Sequence, residues 1–315
     1  MARRIHRIFI QDKECGRKEV FAIEPVNLWF GSSSQIILET FVDVLKTNLS
    51  FKQFENDNCL MHREDDLGTV TMVIYVDDCL MIGDKKAVIH AIEEIKKHFE
   101  ITHSTEIDEF IGCKIERDKN QLFLSQPDLI KKLMEKFGDE MMKLKECETP
   151  ASQGTHVMRP MSEEEKLTEE EQKIYQPGVG SLFYLLKHSR PDLLNSVREL
   201  SKVMDGANKS HMKILKRVIK FVIDTQNRKL ILKPNLDVTK WEVKGYSDSD
   251  FAGDTDGQKC ISGYIIYFQQ CPISWRSKFQ KSEFIFDRGR IHSGIGSCYR
   301  DSFYQVNAGI SWSES

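Results

Sequence analysis

Two adjacent carboxylates, Asp77 and Asp78, stand between two β-forming arms in residues 73–83 (VIYVDDCLMIG). If the arms pair as a hairpin, a tight turn can present both carboxylates to one cleft. Carboxylate oxygens suit Mg²⁺, which binds one or two carboxylates together with substrate phosphates. Two such ions stabilise the attacking and leaving oxygens of an in-line phosphoryl transfer. A bare Asp-Asp pair is also explained as a simple turn, so the apolar arms and the preceding Tyr75 and Val76 favour the metal site.

A basic helix is a further candidate for chemistry. The predicted helix at residues 211–220 (HMKILKRVIK) carries four cations at helical spacing, which are Lys213, Lys216, Arg217 and Lys220. Such a stripe can follow a phosphate backbone and predicts contacts with nucleic acid. A solvated helix face explains the same pattern, so both interpretations stay open.

The composition is that of a folded protein with a hydrophobic core. The chain has 315 residues, enough for about two domains, with 40% hydrophobic and 30% charged residues. No apolar run approaches the roughly 20 residues that cross a bilayer. The basic start, Met1-Ala2-Arg3-Arg4, is not followed by the apolar stretch of a secretory signal. We therefore expect no membrane association and no secretion.

The net charge bears on the binding partners of the protein, and the cysteine spacing bears on its redox compartment. The net charge of −3 argues mildly against a nucleic-acid enzyme, although binding needs only a local basic face. Among the 8 cysteines, no pair has the spacing of a zinc knuckle or a redox motif. Free thiols in a reducing cytosol or nucleus are the better interpretation.

The elements that must position these residues alternate between strands and helices. Helices are predicted at 41–45, 86–99, 127–137, 179–187, 191–204 and 211–224, where apolar residues share one face. The helix at 127–137 starts at proline and is expected to stop at Gly138. Strands are predicted at 70–82, 109–117, 121–124 and within 243–280. This order predicts two α/β pieces joined by a helical connection.

The tetrapeptide Tyr75-Val76-Asp77-Asp78 resembles the polymerase active-site hairpin of reverse transcriptases, and its surroundings resemble the copia-type retrotransposon Pol polyproteins. The matching segments follow the family's order: 110–115 (FIGCKI), 124–126 (LSQ), 136–138 (KFG), 149–150 (TP), 180–185 (GSLFYL) and 189–193 (SRPDL). Residues 40–282 are covered almost without a gap, so chance does not explain the match. The resemblance implies a palm and thumb that copy RNA into DNA on an RNA/DNA template-primer.

The resemblance also implies roles for single residues. Asp77 would be a Mg²⁺ ligand, Asp78 its catalytic neighbour, and Tyr75 a contact to nucleic acid. The family draws a third catalytic aspartate from an earlier palm strand. No aspartate in residues 1–39 lies in a suitable strand, so the metal site is expected to lack one carboxylate. Because catalysis depends on a preorganised metal site, this loss should cost orders of magnitude in rate.

Residues 244–254 (KGYSDSDFAGD) resemble the first strand of the copia-type RNase H domain. The acidic cluster alone is better explained as an exposed turn, but the later motifs at 261–264 (ISGY) and 273–280 (ISWRSKFQ) favour RNase H. Asp248 then matches the first metal-binding carboxylate. The family continues with L-S-S-T-E-A-E-Y, whose first glutamate is the second ligand, whereas residues 284–292 here are FIFDRGRIH.

A change of reading frame explains the missing motif. When the codons are read one base later, only the middle base of each new codon is free, because it is a wobble position. Residues 284–313 can then be read as LSSTEAEYIVASEVVTEILFIKSMLEYLG, the expected continuation with an amphipathic helix. Residues 27–40 can likewise be read as STYGLVQAARLFWR, which resembles the family segment before the hairpin. Both ends are therefore predicted to be out of frame.

The predicted fold class is α/β (α+β), in six segments. They are an out-of-frame, poorly ordered 1–39, a partial palm and thumb at 40–138, a linker at 139–172, a helical connection at 173–235, a truncated RNase H-like α/β domain at 236–283, and an out-of-frame tail at 284–315.

The predicted function is that of a reverse transcriptase fragment with partial RNase H, using two-Mg²⁺ phosphoryl transfer by resemblance and inactive in this copy. The resemblance implies a cytoplasmic or nuclear location, in a virus-like particle. Two alternatives stay open. One is a nucleic-acid-binding remnant without catalysis, and the other is the product of a decayed element without any function. The oligomeric state is not predicted.

Overall fold

The computed structural model describes residues 18–25, 34–75, 78–104, 108–141, 143–152, 154–160, 166–235, 241–250, 261–279 and 304–310. In these ranges helices are combined with antiparallel sheets, which confirms the predicted α+β class. The chain forms two compact units, Met1–Ile115 and Glu116–Ser315. No helix within the described ranges is long and apolar enough to cross a membrane.

The first unit is built on a six-stranded sheet of order β2-β3-β4-β5-β1-β6. Its elements are β1 (Lys18–Pro25), α1 (Ser34–Thr47), β2 (Lys52–Gln53), β3 (Leu60–Asp65), β4 (Gly68–Tyr75), β5 (Asp78–Asp84), α2 (Lys85–Ile95), β6 (Ile101–Ser104) and β7 (Glu109–Phe110). The last of these pairs with the start of β8 (Cys113–Asp118). Burial raises the pKa of the Cys113 thiol to about 12, so this thiol stays protonated at neutral pH.

The alternation of side chains along β4 and β5 decides how this sheet packs. Val70, Met72 and Ile74 of β4 are buried, and so are Cys79 and Met81 of β5. Because successive strand side chains face opposite ways, these five share one face of the sheet. The same core contains the buried residues of α2, which are Ala87, Val88, Ala91, Ile92 and Ile95. Burial of each large apolar side chain stabilises the fold by about 1.5–3 kcal/mol.

The helix predicted at 86–99 ends earlier, at Ile95. The backbone turns after Lys96, yet Phe99 still packs against this core and meets the ring of Phe41 edge-on at 5.2 Å. The sequence pattern therefore predicted the burial of Phe99 correctly, although Phe99 lies beyond the end of the helix. Phe99 satisfies the apolar pattern by tertiary contact and not by helical geometry.

Arg63 ties β3 to α2 through a buried charge. Its guanidinium is 2.5 Å from the Glu94 carboxylate and 3.0 Å from Asp65, and it lies over the Phe51 ring. Only 6% of the Arg63 side chain is exposed, so these partners offset the cost of desolvating the charge.

The second unit combines helices with two groups of strands. Its elements are β9 (Gln121–Ser125), α3 (Pro127–Met141), α4 (Glu169–His188), a 3-10 turn (Pro191–Leu193), α5 (Leu194–Ser201), α6 (Lys209–Asp224), β10 (Leu230–Leu232), β11 (Trp241–Asp250), β12 (Ile261–Phe268), β13 (Cys271–Phe279) and β14 (Tyr304–Ile310). The last four strands form a sheet of order β13-β12-β11-β14.

Among the helix boundaries that differ from the sequence prediction, the end of α3 and the start of α4 have a clear physical cause. α3 continues past Gly138, because Phe137 and Met141 are both buried in the helical core and offset the roughly 1 kcal/mol that a helical glycine costs. α4 starts ten residues before the predicted 179, because Thr168 and Glu171 form a capping box. This start lies inside the segment 139–172 that was predicted to be a linker.

Strands occur in both end segments for which poor order is expected. β1 lies within residues 1–39, and β14 lies within 284–315, where it pairs with β11. Most other residues of these segments are outside the described ranges. Their expected poor order and their frame remain predictions.

We predict that Gly83→Ala destabilises the first unit. A methyl group on Gly83 would lie 2.0 Å from the backbone oxygen of Thr69 on the neighbouring strand, so the two strands must separate. The free energy of unfolding should fall by about 1–3 kcal/mol in a urea titration followed by circular dichroism. Gly245→Ala is the matched control, because that strand glycine has no atom within 4 Å of an added methyl. Equal midpoints for the two variants would contradict the close approach.

Candidate functional site

The arms around Asp77 and Asp78 form the predicted hairpin. β4 pairs with β5 in antiparallel register from Val70 opposite Gly83 to Tyr75 opposite Asp78. The carboxylate of Asp84 fixes the far end of the hairpin, because it accepts hydrogen bonds from the Thr69 backbone N–H at 2.8 Å and from its hydroxyl at 3.2 Å. Val76 and Asp77 connect the strands and lie outside the described residues.

Asp78 lies on the face of the sheet opposite the buried core. Cys79 and Met81 point into that core, so the alternation along β5 places Asp78 on the other side with Leu80 and Ile82. Asp78 is half-buried, and Tyr75, its partner across the hairpin, is 41% exposed. The hairpin therefore presents one carboxylate and one phenol ring on a partly open face.

The strand beside β5 supplies no aspartate. β1 has the sequence KEVFAIEP, and its pairing with β5 runs from Lys18 opposite Asp84 to Ile23 opposite Cys79. Glu24 is the next residue, so the register places it at the Asp78 end of the sheet. Among the described residues, no group of three or more His, Cys, Asp or Glu side chains could hold a metal ion. The residues described do not provide the donor set for a two-metal site.

Asp248 lies in the second unit, in the middle of β11, and is exposed. It stands opposite Gly263 of β12, which in turn stands opposite Ser277 of β13. These three positions share one face of the sheet, because directly opposed residues of antiparallel strands point the same way. The predicted strand at this motif is confirmed, and its role in metal binding stays a prediction.

Among the four predicted phosphate-binding cations, Lys220 and Arg217 contact residues near the segment that follows α3. Lys220 pairs with Asp224, which also accepts a hydrogen bond from the Cys147 backbone N–H at 3.0 Å. Arg217 is 3.4 Å from the hydroxyl of Thr149. Both contacts hold the segment after α3 against α6.

The other two cations of α6 differ in exposure. Lys213 is exposed, whereas Lys216 is half-buried and has interactions of its own. Lys213 is therefore the member of the stripe that is placed most openly for a phosphate.

A buried ionic cluster on α5 was not found from the sequence. Glu199 is 3.0 Å from Arg198 and 2.8 Å from Lys202, and it accepts a hydrogen bond from the Val157 backbone N–H. Arg198 and Lys202 both lie over the ring of Phe279 in β13. The spacing of the three charged residues allows local pairs, but their burial against Val157 and Phe279 could not be read from a local pattern, because those partners are far away in sequence.

Comparison with known proteins gives the family. Residues 31–153 match the family described as reverse transcriptase (RNA-dependent DNA polymerase). The chain is 30% identical over 254 residues to the retrovirus-related Pol polyprotein from transposon TNT 1-94 of Nicotiana tabacum, covering 79% of this chain and 18% of that protein. It is 31% identical over 265 residues to the corresponding polyprotein from transposon RE1 of Arabidopsis thaliana, covering 84% of this chain and 17% of that protein.

A shorter relative has a similar extent to this chain. An uncharacterized mitochondrial protein of Arabidopsis thaliana is 26% identical over 210 residues, which cover 66% of this chain and 83% of that protein. By contrast, the chain spans less than a fifth of the two Pol polyproteins. No solved structure matches the chain.

We predict that Lys220→Ala and Lys213→Ala have different effects on stability. Removal of Lys220 leaves Asp224, whose side chain is 11% exposed, without its cation, which should lower the free energy of unfolding by about 1–3 kcal/mol. Removal of the exposed Lys213 should change it by less than about 0.5 kcal/mol. Urea unfolding measures both values, and amide exchange at Cys147 should accelerate only in Lys220→Ala. Identical exchange in the two variants would show that the pair does not hold this segment.

Proposed function

The chain is a homologue of the Pol polyproteins of copia-like transposons, with residues 31–153 in their reverse transcriptase, and from this premise we propose that its polymerase site is incomplete. The observation that carries this proposal is the composition of β1. The family takes one catalytic aspartate from an earlier palm strand, whereas β1, the strand beside β5, has the sequence KEVFAIEP, which contains no aspartate. Divalent metal use belongs to the family generally, and here we assign Asp77 and Asp78 to what remains of that site.

A missing carboxylate abolishes this kind of chemistry for an electrostatic reason. Phosphoryl transfer builds negative charge at the transferred group, and fixed cations must stabilise it. Each cation requires carboxylates that are already in place before the reaction starts. The resulting proposal is a reverse transcriptase fragment that is inactive in this copy.

We assign β11–β13 to a truncated RNase H-like domain. Asp248 would be its first metal-binding carboxylate, and three antiparallel strands in sequence order support this assignment. The glutamate that the family places after these strands is absent from residues 284–292. We propose the same domain limits as in the sequence analysis. Residues 127–141, which were assigned to the palm and thumb, pack in the same core as α4 and α6 of the helical connection.

The partners and the compartment follow from the family. An RNA/DNA template-primer is the ligand that we propose for the hairpin face, with Tyr75 beside it. The cytoplasm or the nucleus, with assembly in a virus-like particle, is the proposed location. A nucleic-acid-binding remnant without catalysis is the second candidate, and the exposed Lys213 favours it. A product of a decayed element without function is the third, and the two shifted reading frames favour that one.

We predict that the purified chain extends no primer. Incorporation of labelled dTTP on oligo(dT)-primed poly(rA) with Mg²⁺ should equal the no-protein blank, while an active reverse transcriptase on the same template serves as positive control. Incorporation that disappears in Asp77→Asn or Asp78→Asn would overturn the proposal. Its further loss in Glu24→Gln would show that this glutamate completes the site.

We predict that a one-base change of frame lies between the codons for Gln280 and Phe284. A helix that covers a sheet needs an apolar stripe, whereas the present residues 293–299 (SGIGSCY) contain two glycines that each cost about 1 kcal/mol in a helix. Sequencing the locus should reveal L-S-S-T-E-A-E-Y in the shifted frame. The restored chain should expose less apolar sheet surface and aggregate less in light scattering.

A stop codon in the shifted frame, or no such motif there, would show that the tail is native sequence. The N-terminal shift is tested in the same way around the codon for Phe41. The family match begins at residue 31 in the present frame, although residues 1–39 are predicted to be out of frame. Residues 31–39 are therefore the stretch where this prediction is most easily contradicted.

A further inference from the structure

The sheet of the second unit has an inner face, which packs on helices. The indole N–H of Trp275 donates to the backbone oxygen of Leu186 at 2.7 Å, Arg198 donates to the hydroxyl of Ser277, and Phe279 lies beneath Arg198. These three residues of β13 alternate along the strand and so share one face. The inner face is therefore committed to α5 and to the end of α4.

The opposite side, which we call the outer face, carries exposed aromatic rings. It contains Trp241 of β11 and Tyr264 and Phe268 of β12, which strand register places on the same side. Trp241 is 53% exposed and stacks on Phe268 with ring centroids 5.4 Å apart, so its second ring face is open. Tyr264 is 39% exposed. Trp241 on β11 and Tyr264 on β12 therefore offer two accessible ring surfaces, and Phe268, on which Trp241 stacks, lies four residues or about 13 Å from Tyr264 along β12.

Charge is divided between the two faces. Arg276 stands directly opposite Tyr264, Lys278 follows two residues later on the same side, and both are exposed. Neither is paired with a carboxylate in the part of the chain that the structure describes. By register, the carboxylates of Glu242 and Asp248 belong to the inner face. The outer face thus combines aromatic rings with unopposed positive charge.

We propose that the outer face binds single-stranded nucleic acid, with bases stacked on Trp241 and Tyr264 and phosphates held by Arg276 and Lys278. Aromatic rings on an open sheet face are suited to unpaired bases, because every base presents a π-face for stacking. The neighbouring cations neutralise the backbone that connects the stacked bases. This inference goes beyond the proposed polymerase fragment, since it concerns only the second unit and needs no metal.

A second copy of the chain fits this face less well. A two-fold contact brings the same patch of both copies together. Arg276 and Lys278 would then meet their own symmetry mates, and no carboxylate residue occupies a position on this side of the described β11–β13 to offset the repulsion. Nucleic acid supplies the opposite charge along with flat apolar rings.

The test is fluorescence anisotropy of a labelled 20-nucleotide oligo(dT) titrated with the full 315-residue chain. Tyr264→Ala should weaken binding by about tenfold or more, as the loss of one stacked base predicts. Arg276→Gln with Lys278→Gln should weaken it too and reduce the salt dependence by about 1.4 in log–log slope, which is two phosphate contacts. The double variant changes only exposed side chains, so it remains informative if Tyr264→Ala fails to fold.

Matched controls use an aromatic ring and a cation elsewhere in the same unit. Phe183→Ala removes a 41% exposed ring on α4, and Lys131→Gln removes an exposed cation on α3. Both should bind within twofold of the unaltered chain. The proposal fails if oligo(dT) does not bind, or if the controls lose as much affinity as the outer-face variants. It also fails if the chain is a dimer in light scattering that Tyr264→Ala disperses, because the face would then join two copies.

Discussion

The two-sidedness of a β-sheet constrains everything else in this protein. Side chains alternate along each strand, so a strand that buries one set of residues must present the other set on the opposite face. In the first unit, Met72 and Met81 are buried, and this fixes Asp78 on the partly open side. In the second unit, Trp275 and Phe279 face the helices, and this fixes Arg276 on the outside. Core packing thus decides which residues are available for chemistry.

The helical part of the second unit depends on charges that are almost fully desolvated. Glu199 satisfies two cations and one backbone N–H at once, and the same cations lie over Phe279. A buried charge is tolerated only when its partners are complete, so the loss of one of them costs more than an exposed pair contributes. The cluster joins α5 to β13 and to the segment around Val157. The cluster thereby connects three stretches that are far apart in sequence, which are α5, β13 and the segment around Val157.

In this protein the residues that stabilise the fold of the first unit are different from the carboxylates of its candidate site. The core of the first unit consists of apolar side chains, and it lies on the face of the β4–β5 hairpin opposite Asp78. Loss of a metal-binding carboxylate therefore removes activity without removing the hydrophobic contribution to stability. The β4–β5 hairpin can therefore persist in a homologue of a polymerase whether or not its site is complete. On α6, Lys220 and Arg217 contact Asp224 and Thr149, so these two cations contribute to packing as well.

The sequence by itself determined the β4–β5 hairpin, the neighbouring strands β8 and β9, the helices that carry Tyr184 and Val218, and the family, because each depends on local pattern and residue order. The strand predicted at 109–117 is instead divided into β7 and β8, which pair with each other. The sequence pattern misplaced the end of α3 and the start of α4, where burial of Met141 and a capping box at Thr168 outweighed local propensity. It did not show what Glu199 and Asp224 bind beyond their own helices. Only the tertiary structure decided the contacts of the Glu199 cluster with Val157 and Phe279 and that of Asp224 with Cys147. These contacts join residues that are distant in sequence, and a linear pattern records which residues are apolar but not which side chains will meet.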